Sequence, residues 1–226
     1  MTALPPRARN RMAKERRILD SALKVFADQG YSGTSMDAIA ALAGVSKPTL
    51  YQYFGGKEQL FSASRGDQRD TMLGAFEEPD GLGLVPELWA FAWHYADTVL
   101  RPDFLSLARL IIGEAQRFPE IGRAYQAAGP ERMLAGMMDY LSARKAEGRL
   151  DFDDAEMAAE DLWGLILSAP RNRALHDPEN MASRADLHRF ITNGLRVFLK
   201  AYSTHPADDL AQLKALAEQG PTQGTP

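Results

Sequence analysis

Apolar residues recur three and four positions apart along nearly the whole chain, and no stretch alternates β-branched and polar residues at period two. That pattern predicts an all-α protein. A first helix is predicted from about Lys14 to Gln29, with Ile18, Ala22, Val25 and Phe26 on one face and Gly30 as its left-handed stop. A second opens at Thr34, whose hydroxyl can cap it with Asp37 three residues on, and it buries Met36, Ile39, Ala40 and Ala43 before Gly44 breaks it. Ser46 caps a short third helix reaching about Phe54. Gly55 and Gly56 end that one, and a fourth begins near Lys57.

Past Phe76 the character changes. Glu77 to Gly83 carries turn chemistry and predicts a loop. Longer amphipathic segments follow at about Pro86–Leu100, Asp103–Arg117, Pro119–Ala128, Pro130–Glu147, Asp154–Leu175 and Arg184–Ser203. Several open on proline, where the missing N–H costs nothing. A weak helix is predicted over Asp208–Glu218, and Gly220–Pro226 reads as disordered. The expected organisation is a flexible basic arm (1–13), a compact unit of three short helices (14–60), a larger helical body (61–205) joined through the fourth helix, and a weakly ordered tail (206–226).

Composition is that of an ordinary globular protein, with 45% hydrophobic and 25% charged residues. The net charge of −4 is unevenly spread: nine Lys/Arg against five acids through Leu60 give +4, which leaves −8 for the rest. A basic head on an acidic body suits an anionic polymer bound at one end. Cysteine is absent, which excludes disulfides, thiolate zinc sites and cysteine nucleophiles. His176, Asp177 and His188 hint at a metal but lack regular ligand spacing, so neither metal nor cofactor is expected. With no phosphate-cradling glycine loop and no nucleophile motif, no enzymatic activity is expected. Met1–Arg11 is basic without an apolar stretch behind it, and no apolar run approaches the roughly 18 residues of a membrane span, so a cytoplasmic location is expected.

Two short helices joined by Ala43-Gly44-Val45-Ser46 match a helix-turn-helix. At about 100° per residue, Leu50 and Phe54 share one face of the third helix. Pro48, Thr49 and Gln52 lie opposite, with Tyr51 on the flank. These are short or hydrogen-bonding residues without a long acidic chain, a face able to contact base edges in a major groove. Thr34, Ser35 and Lys57 sit at helix starts that favour phosphate, and Tyr51 and Tyr53 offer phenolic donors to the backbone. Arg7, Arg9 and Arg11 could form a mobile arm into the adjacent minor groove.

Phe26-Ala-Asp-Gln-Gly-Tyr31, Thr34, Ile39-Ala40, Ala43-Gly-Val-Ser46, Thr49-Leu-Tyr-Gln-Tyr-Phe54 and Lys57-Glu-Gln-Leu60 resemble, in order and spacing, the TetR (tetracycline-repressor-like) family of regulators. The resemblance implies an all-helical dimer with one N-terminal DNA-binding unit per subunit and an effector cavity in the C-terminal bundle. By position, Thr34 or Ser35, Lys47, Thr49, Tyr51, Tyr53 and Lys57 would contact DNA. Pro48 stands where the family often has glycine or alanine and removes one N–H. A fainter likeness, through Arg101-Pro-Asp-Phe104, Glu114 to Glu120, Gly129-Pro-Glu-Arg132 and Gly148-Arg-Leu150, is to the effector domains of the AefR- and AcrR-like subgroup.

In the body, Trp89, Trp93, Phe104, Phe118, Met133, Met137 and Trp163 are candidates to line an effector cavity. His94, Arg109 and Glu114 are candidates to orient a ligand there. The last two long helices are apolar-rich, and Leu162, Ile166, Phe190, Ile191, Leu195 and Phe198 are expected at a four-helix dimer interface. The reading is therefore a homodimeric repressor that binds a palindromic duplex operator and is released by a small apolar or amphipathic effector. Two other classes fit less of the sequence: an architectural or activating DNA-bound protein without an inducer, and an all-α enzyme with an N-terminal module.

Overall fold

The computed structural model describes residues 6–64 and 83–220, and every element there is a helix. In chain order these are α1 (Pro6–Gly33), α2 (Met36–Ala43), α3 (Lys47–Phe54), α4 (Lys57–Ala63), α5 (Leu84–Val99), α6 (Pro102–Glu114), α7 (Pro119–Ala128), α8 (Pro130–Ala146), α9 (Ala155–His176), α10 (Arg184–Tyr202) and α11 (Pro206–Glu218). One isolated antiparallel bridge joins Leu150 to Ser203. The loop expected from Glu77, the disorder expected past Gly220 and residues 1–5 of the expected arm lie outside the described residues.

The chain divides into two compact units. The first comprises the described residues of Met1–Arg69 with Ser106–Ala128. Its core is built by the helical periodicity: Ile18, Ala22, Val25 and Phe26 of α1 meet Met36, Ile39, Ala40 and Ala43 of α2, Leu50 and Phe54 of α3, and Leu60 and Phe61 of α4. Leu107, Ile111 and Ile121 join the same core, which periodicity alone does not disclose. Gly30 interrupts α1 at φ 71°, a left-handed conformation that glycine adopts without a Cβ penalty. That kink delivers Tyr31 into an aromatic cluster, 5.7 Å from Phe26, 5.4 Å from Phe61 and 5.6 Å from Phe118 between ring centroids. Each such pair contributes about 0.5–1.5 kcal/mol beyond its buried area.

Two local expectations change. The helix predicted from Lys14 begins at Pro6, so the backbone of Arg7, Arg9 and Arg11 is helical and not an extended arm. Proline is tolerated in a first turn, where its missing N–H has no intrahelical partner to lose. The cap of α2 is Ser35, which accepts from Ala38 N, and not Thr34. The turn that follows Gly30 leaves Thr34 only 4% exposed, where its hydroxyl donates to the Gly30 carbonyl at 2.7 Å.

The second unit comprises the described residues of Asp70–Leu105 with Gly129–Pro226. Asp154 caps α9 by accepting from Glu156 N and Met157 N. Ser183 and Asp186 form a reciprocal capping box at the start of α10, and these bonds from Ser183 hold the Asp186 carboxyl below its ordinary pKa. Helices α9 and α10 cross closely at Gly194, where a Cβ would lie 2.5 Å from the Leu165 carbonyl oxygen. The expected weak helix in the tail is a docked one. Leu213 of α11 is buried, and Asp209, 3% exposed, accepts from Arg149 at 2.9 Å and from Ser203 at 2.6 Å. Among the described residues no helix is long and apolar enough to cross a membrane.

Candidate nucleic-acid interface

The turn between α2 and α3 is fixed by local chemistry. Gly44, at φ 61° and ψ 41°, ends α2 in the left-handed region, and its N–H bonds back to α2 carbonyls. Ser46 then caps α3, accepting from Thr49 N at 3.3 Å. Its hydroxyl also shares a 2.8 Å hydrogen bond with that of Thr49. Leu50 and Phe54 anchor α3 in the core, while Pro48, Tyr51 and Gln52 are exposed and Thr49 is half-buried. Tyr51 retains 43% exposure, high for an aromatic side chain. A helix held from behind and bare in front is the arrangement that enters a groove.

The remaining predicted contacts divide into exposed and inward-turned groups. Ser35 is exposed at the cap of α2. Lys47 is exposed but donates to Asp37 of α2 at 2.9 Å, a bond that raises the pKa of its ammonium. Tyr53 is half-buried, with the Arg11 guanidinium 5.9 Å and the Lys14 ammonium 6.0 Å from its ring centroid. Two cations thus flank the Tyr53 ring beside α3.

Lys57, expected to reach a phosphate, turns inward. Its ammonium donates to the carbonyls of Tyr31 at 2.5 Å and Thr34 at 2.9 Å and lies 4.4 Å from the Tyr31 ring centroid. Partial burial lowers its pKa from the ordinary lysine value, with Glu114 opposing. Thr34 likewise turns its hydroxyl inward, donating to the Gly30 carbonyl. Both residues position the α1–α2 junction against α4. Sequence reasoning missed Asp37 and Tyr31 in these roles, because their partners lie 10 and 26 positions away and leave no local pattern.

The effector candidates fall into both units. In the second, Trp89 and Trp93 meet edge to face at 6.0 Å between ring centroids, and His188 lies 5.5 Å and 6.2 Å from them. The Arg184 guanidinium lies 4.2 Å from the Trp93 ring centroid and pairs with Asp97. Among the described residues the buried Trp93 indole N–H has no hydrogen-bond partner, a costly state for a donor. Met133, Met137 and Phe104 are buried, His94 is half-buried, and the half-buried Trp163 donates to the Tyr95 hydroxyl. Arg109 and Phe118 belong instead to the first unit. Arg109 donates to Ser106 at 3.2 Å, and Phe118 packs on Tyr31, so Phe118 serves the core of the first unit. Glu114 accepts from Ser32 at 3.4 Å.

The dimer candidates are corrected most. Leu162, Ile166, Ile191, Leu195 and Phe198 are each 0% exposed within one chain. They hold the core of the second unit and have no surface to offer a second copy. Phe190 alone of the six is half-exposed. Of the histidines singled out for a metal, His188 Nε2 lies 3.0 Å from the Ala217 carbonyl and His176 Nδ1 lies 2.8 Å from that of Asn172. Among the described residues no three His, Asp or Glu converge to hold a metal ion.

A capped two-helix corner with one bare helix face, set ahead of a separate helical body, defines a helix-turn-helix regulator. Comparison with known proteins gives the family. Residues 18–64 match the model of bacterial regulatory proteins of the tetR family, and residues 86–204 match that of the AefR-like transcriptional repressor C-terminal domain. The uncharacterised helix-turn-helix regulator YhgD of Bacillus subtilis is 46% identical over 135 residues, 60% of this chain and 69% of that protein. A solved TetR-family regulator from Mesorhizobium loti superposes with a TM-score of 0.75 at 32% identity, covering 85% of this chain and 98% of that one. The flavonoid-responsive regulator FrrA superposes with a TM-score of 0.71 at 32% identity and the same two coverages. Other curated relatives are 47% identical over 57 residues, and there the chain spans only about a quarter of their length. The chain belongs to the TetR family of transcriptional regulators.

Proposed function

We propose that the protein is a cytoplasmic homodimeric repressor that binds a two-fold-related operator and is released by a small apolar or amphipathic effector. The observation that carries the DNA-binding reading is the exposed face of α3, with Pro48, Tyr51 and Gln52 bare above a helix anchored by Leu50 and Phe54. Ser35, Lys47, Thr49 and Tyr53 supply the flanking contacts, and Thr34 and Lys57 position them. Two such faces in successive major grooves stand roughly 34–36 Å apart.

The dimer is proposed to form through the outward faces of α9 and α10. Met157 is 55% exposed there, Phe190 and Val197 are half-exposed, and a Cβ at Gly164 would meet nothing within 4 Å. The inward stripes are already spent on the core. The effector is proposed to enter the second unit near Trp93, whose unsatisfied indole N–H would find an acceptor on an amphipathic ligand. FrrA, by its name, responds to flavonoids, and a flavonoid is therefore the first probe. Effector and operator then oppose each other reciprocally, since their coupling is one free energy shared by both sites.

The test is fluorescence anisotropy on duplexes selected by the protein itself, with sedimentation to count chains. Two chains per duplex are expected, with affinity weakened by an effector that raises the melting temperature. Gly164→Glu should yield monomers without operator affinity. A monomer that binds as tightly as wild type overturns the dimer, and an effector that binds without altering DNA affinity overturns the release.

A further inference from the structure

The exposed chemistry of α3 also limits which bases it can read, an inference that rests on the DNA-binding reading above. Guanine presents two acceptors in the major groove and is read by a forked or multiple donor, usually Arg or Lys. Helix α3 contains no arginine, and its single lysine, Lys47, is bonded to Asp37. Cytosine presents a donor and is read by a carboxylate. The sequence of α3, Lys-Pro-Thr-Leu-Tyr-Gln-Tyr-Phe, holds none, and the neighbouring Asp37 is the partner of Lys47. Pro48 has no N–H to donate, and the Thr49 hydroxyl is already bonded to that of Ser46.

What remains is narrow. Gln52 is exposed and carries the one side chain on α3 that offers a donor and an acceptor side by side, the complement of adenine N7 and N6. Pro48 and the methyl group of Thr49 are apolar and complement the thymine 5-methyl group. Pro48 and Thr49 stand four and three residues before Gln52, so the two kinds of contact share a face. Their axial separation of about 4.5–6 Å corresponds to one or two base-pair steps of about 3.4 Å.

We infer that α3 reads an A·T-based half-site, with Gln52 pairing to an adenine and Pro48 and Thr49 seating a thymine methyl one or two base pairs away. The experiment is selection from a random duplex pool with the full-length protein, repeated with Gln52→Glu and Gln52→Ala. Wild type should enrich half-sites with A·T at both positions. Gln52→Glu should move the adenine preference to cytosine, and Gln52→Ala should lose discrimination there by about tenfold or more while keeping the rest of the site. Replacing the neighbouring thymine by uracil should weaken binding by about fourfold, the effect of one buried methyl group. Enriched half-sites with G·C at these positions overturn the inference and leave DNA binding intact. So does a base preference that neither Gln52 variant changes. Failure to enrich any sequence overturns the DNA-binding reading, and this inference with it.

Discussion

Replacing Lys57 by methionine separates a positioning lysine from a phosphate-binding one. The substitution keeps most of the side-chain stem and removes the ammonium. What is lost is a pair of hydrogen bonds, to the carbonyls of Tyr31 and Thr34, and a cation–ring contact at 4.4 Å. Hydrogen bonds from a charged donor contribute about 1.5–3 kcal/mol each when buried, but Lys57 is only half-buried and water can replace it at both carbonyls. With the ring contact included, the loss is about 2 kcal/mol. In a chain of this length that lowers Tm by roughly 4–8 °C. The second reading is electrostatic. A lysine that neutralises a phosphate adds about 0.9 to the slope of log affinity against log salt, and an inward-turned lysine adds nothing. Calorimetry and a salt titration on one operator duplex therefore give opposite signatures. The expected result is a lower Tm with an unchanged salt slope. An unchanged Tm with a slope flatter by about one would refute the inward role and restore Lys57 to the phosphate backbone.

Other perturbations follow from the same contacts. Asp37→Asn frees Lys47 and removes a negative charge beside the DNA-facing helix, so salt titration should show tighter binding and a slope steeper by about 0.9. Gly194→Ala forces a Cβ to within 2.5 Å of the Leu165 carbonyl oxygen, so overpacking of about 1–3 kcal/mol outweighs the gain in helix propensity and thermal melts should shift down. Gly113→Ala, in open space on α6, should leave the melt unchanged or raise it slightly. Tyr202 donates to Asp161 at 2.5 Å, and that bond pushes its phenol up to about 12 from 10.0. A folded pKa raised above the unfolded one stabilises the fold below pH 10 and is lost as pH rises towards 12, so Tyr202→Phe should remove that component of the alkaline loss.

The helix-turn-helix was legible because its determinants are local. Gly44, Ser46 and Gly55 punctuate the chain within a few residues of the groups they cap, and the spacing of Ile39, Leu50 and Phe54 marks the buried faces. Thr34 deceived for a related reason. Threonine before a helix is a good cap, but the left-handed turn at Gly30 places its hydroxyl beside an α1 carbonyl and gives the cap to Ser35. The apolar stripes of α9 and α10 were visible, yet an apolar stripe does not say whether it meets its own chain or another. Leu162, Ile191 and Phe198 meet their own. The α11 helix reads as weak in the sequence because its docking depends on Asp209 finding Arg149 across 60 residues. No window of sequence contains that contact.

The central claim, two α3 faces on one duplex, is tested most directly by hydroxyl-radical footprinting on a selected operator, with the mass of the same complex measured by light scattering. Two protected patches about one helical turn apart, with two chains per duplex and both patches lost in Tyr51→Ala with Gln52→Ala, are the expected result. A single patch with one chain per duplex, or a footprint indifferent to those two substitutions, would contradict it.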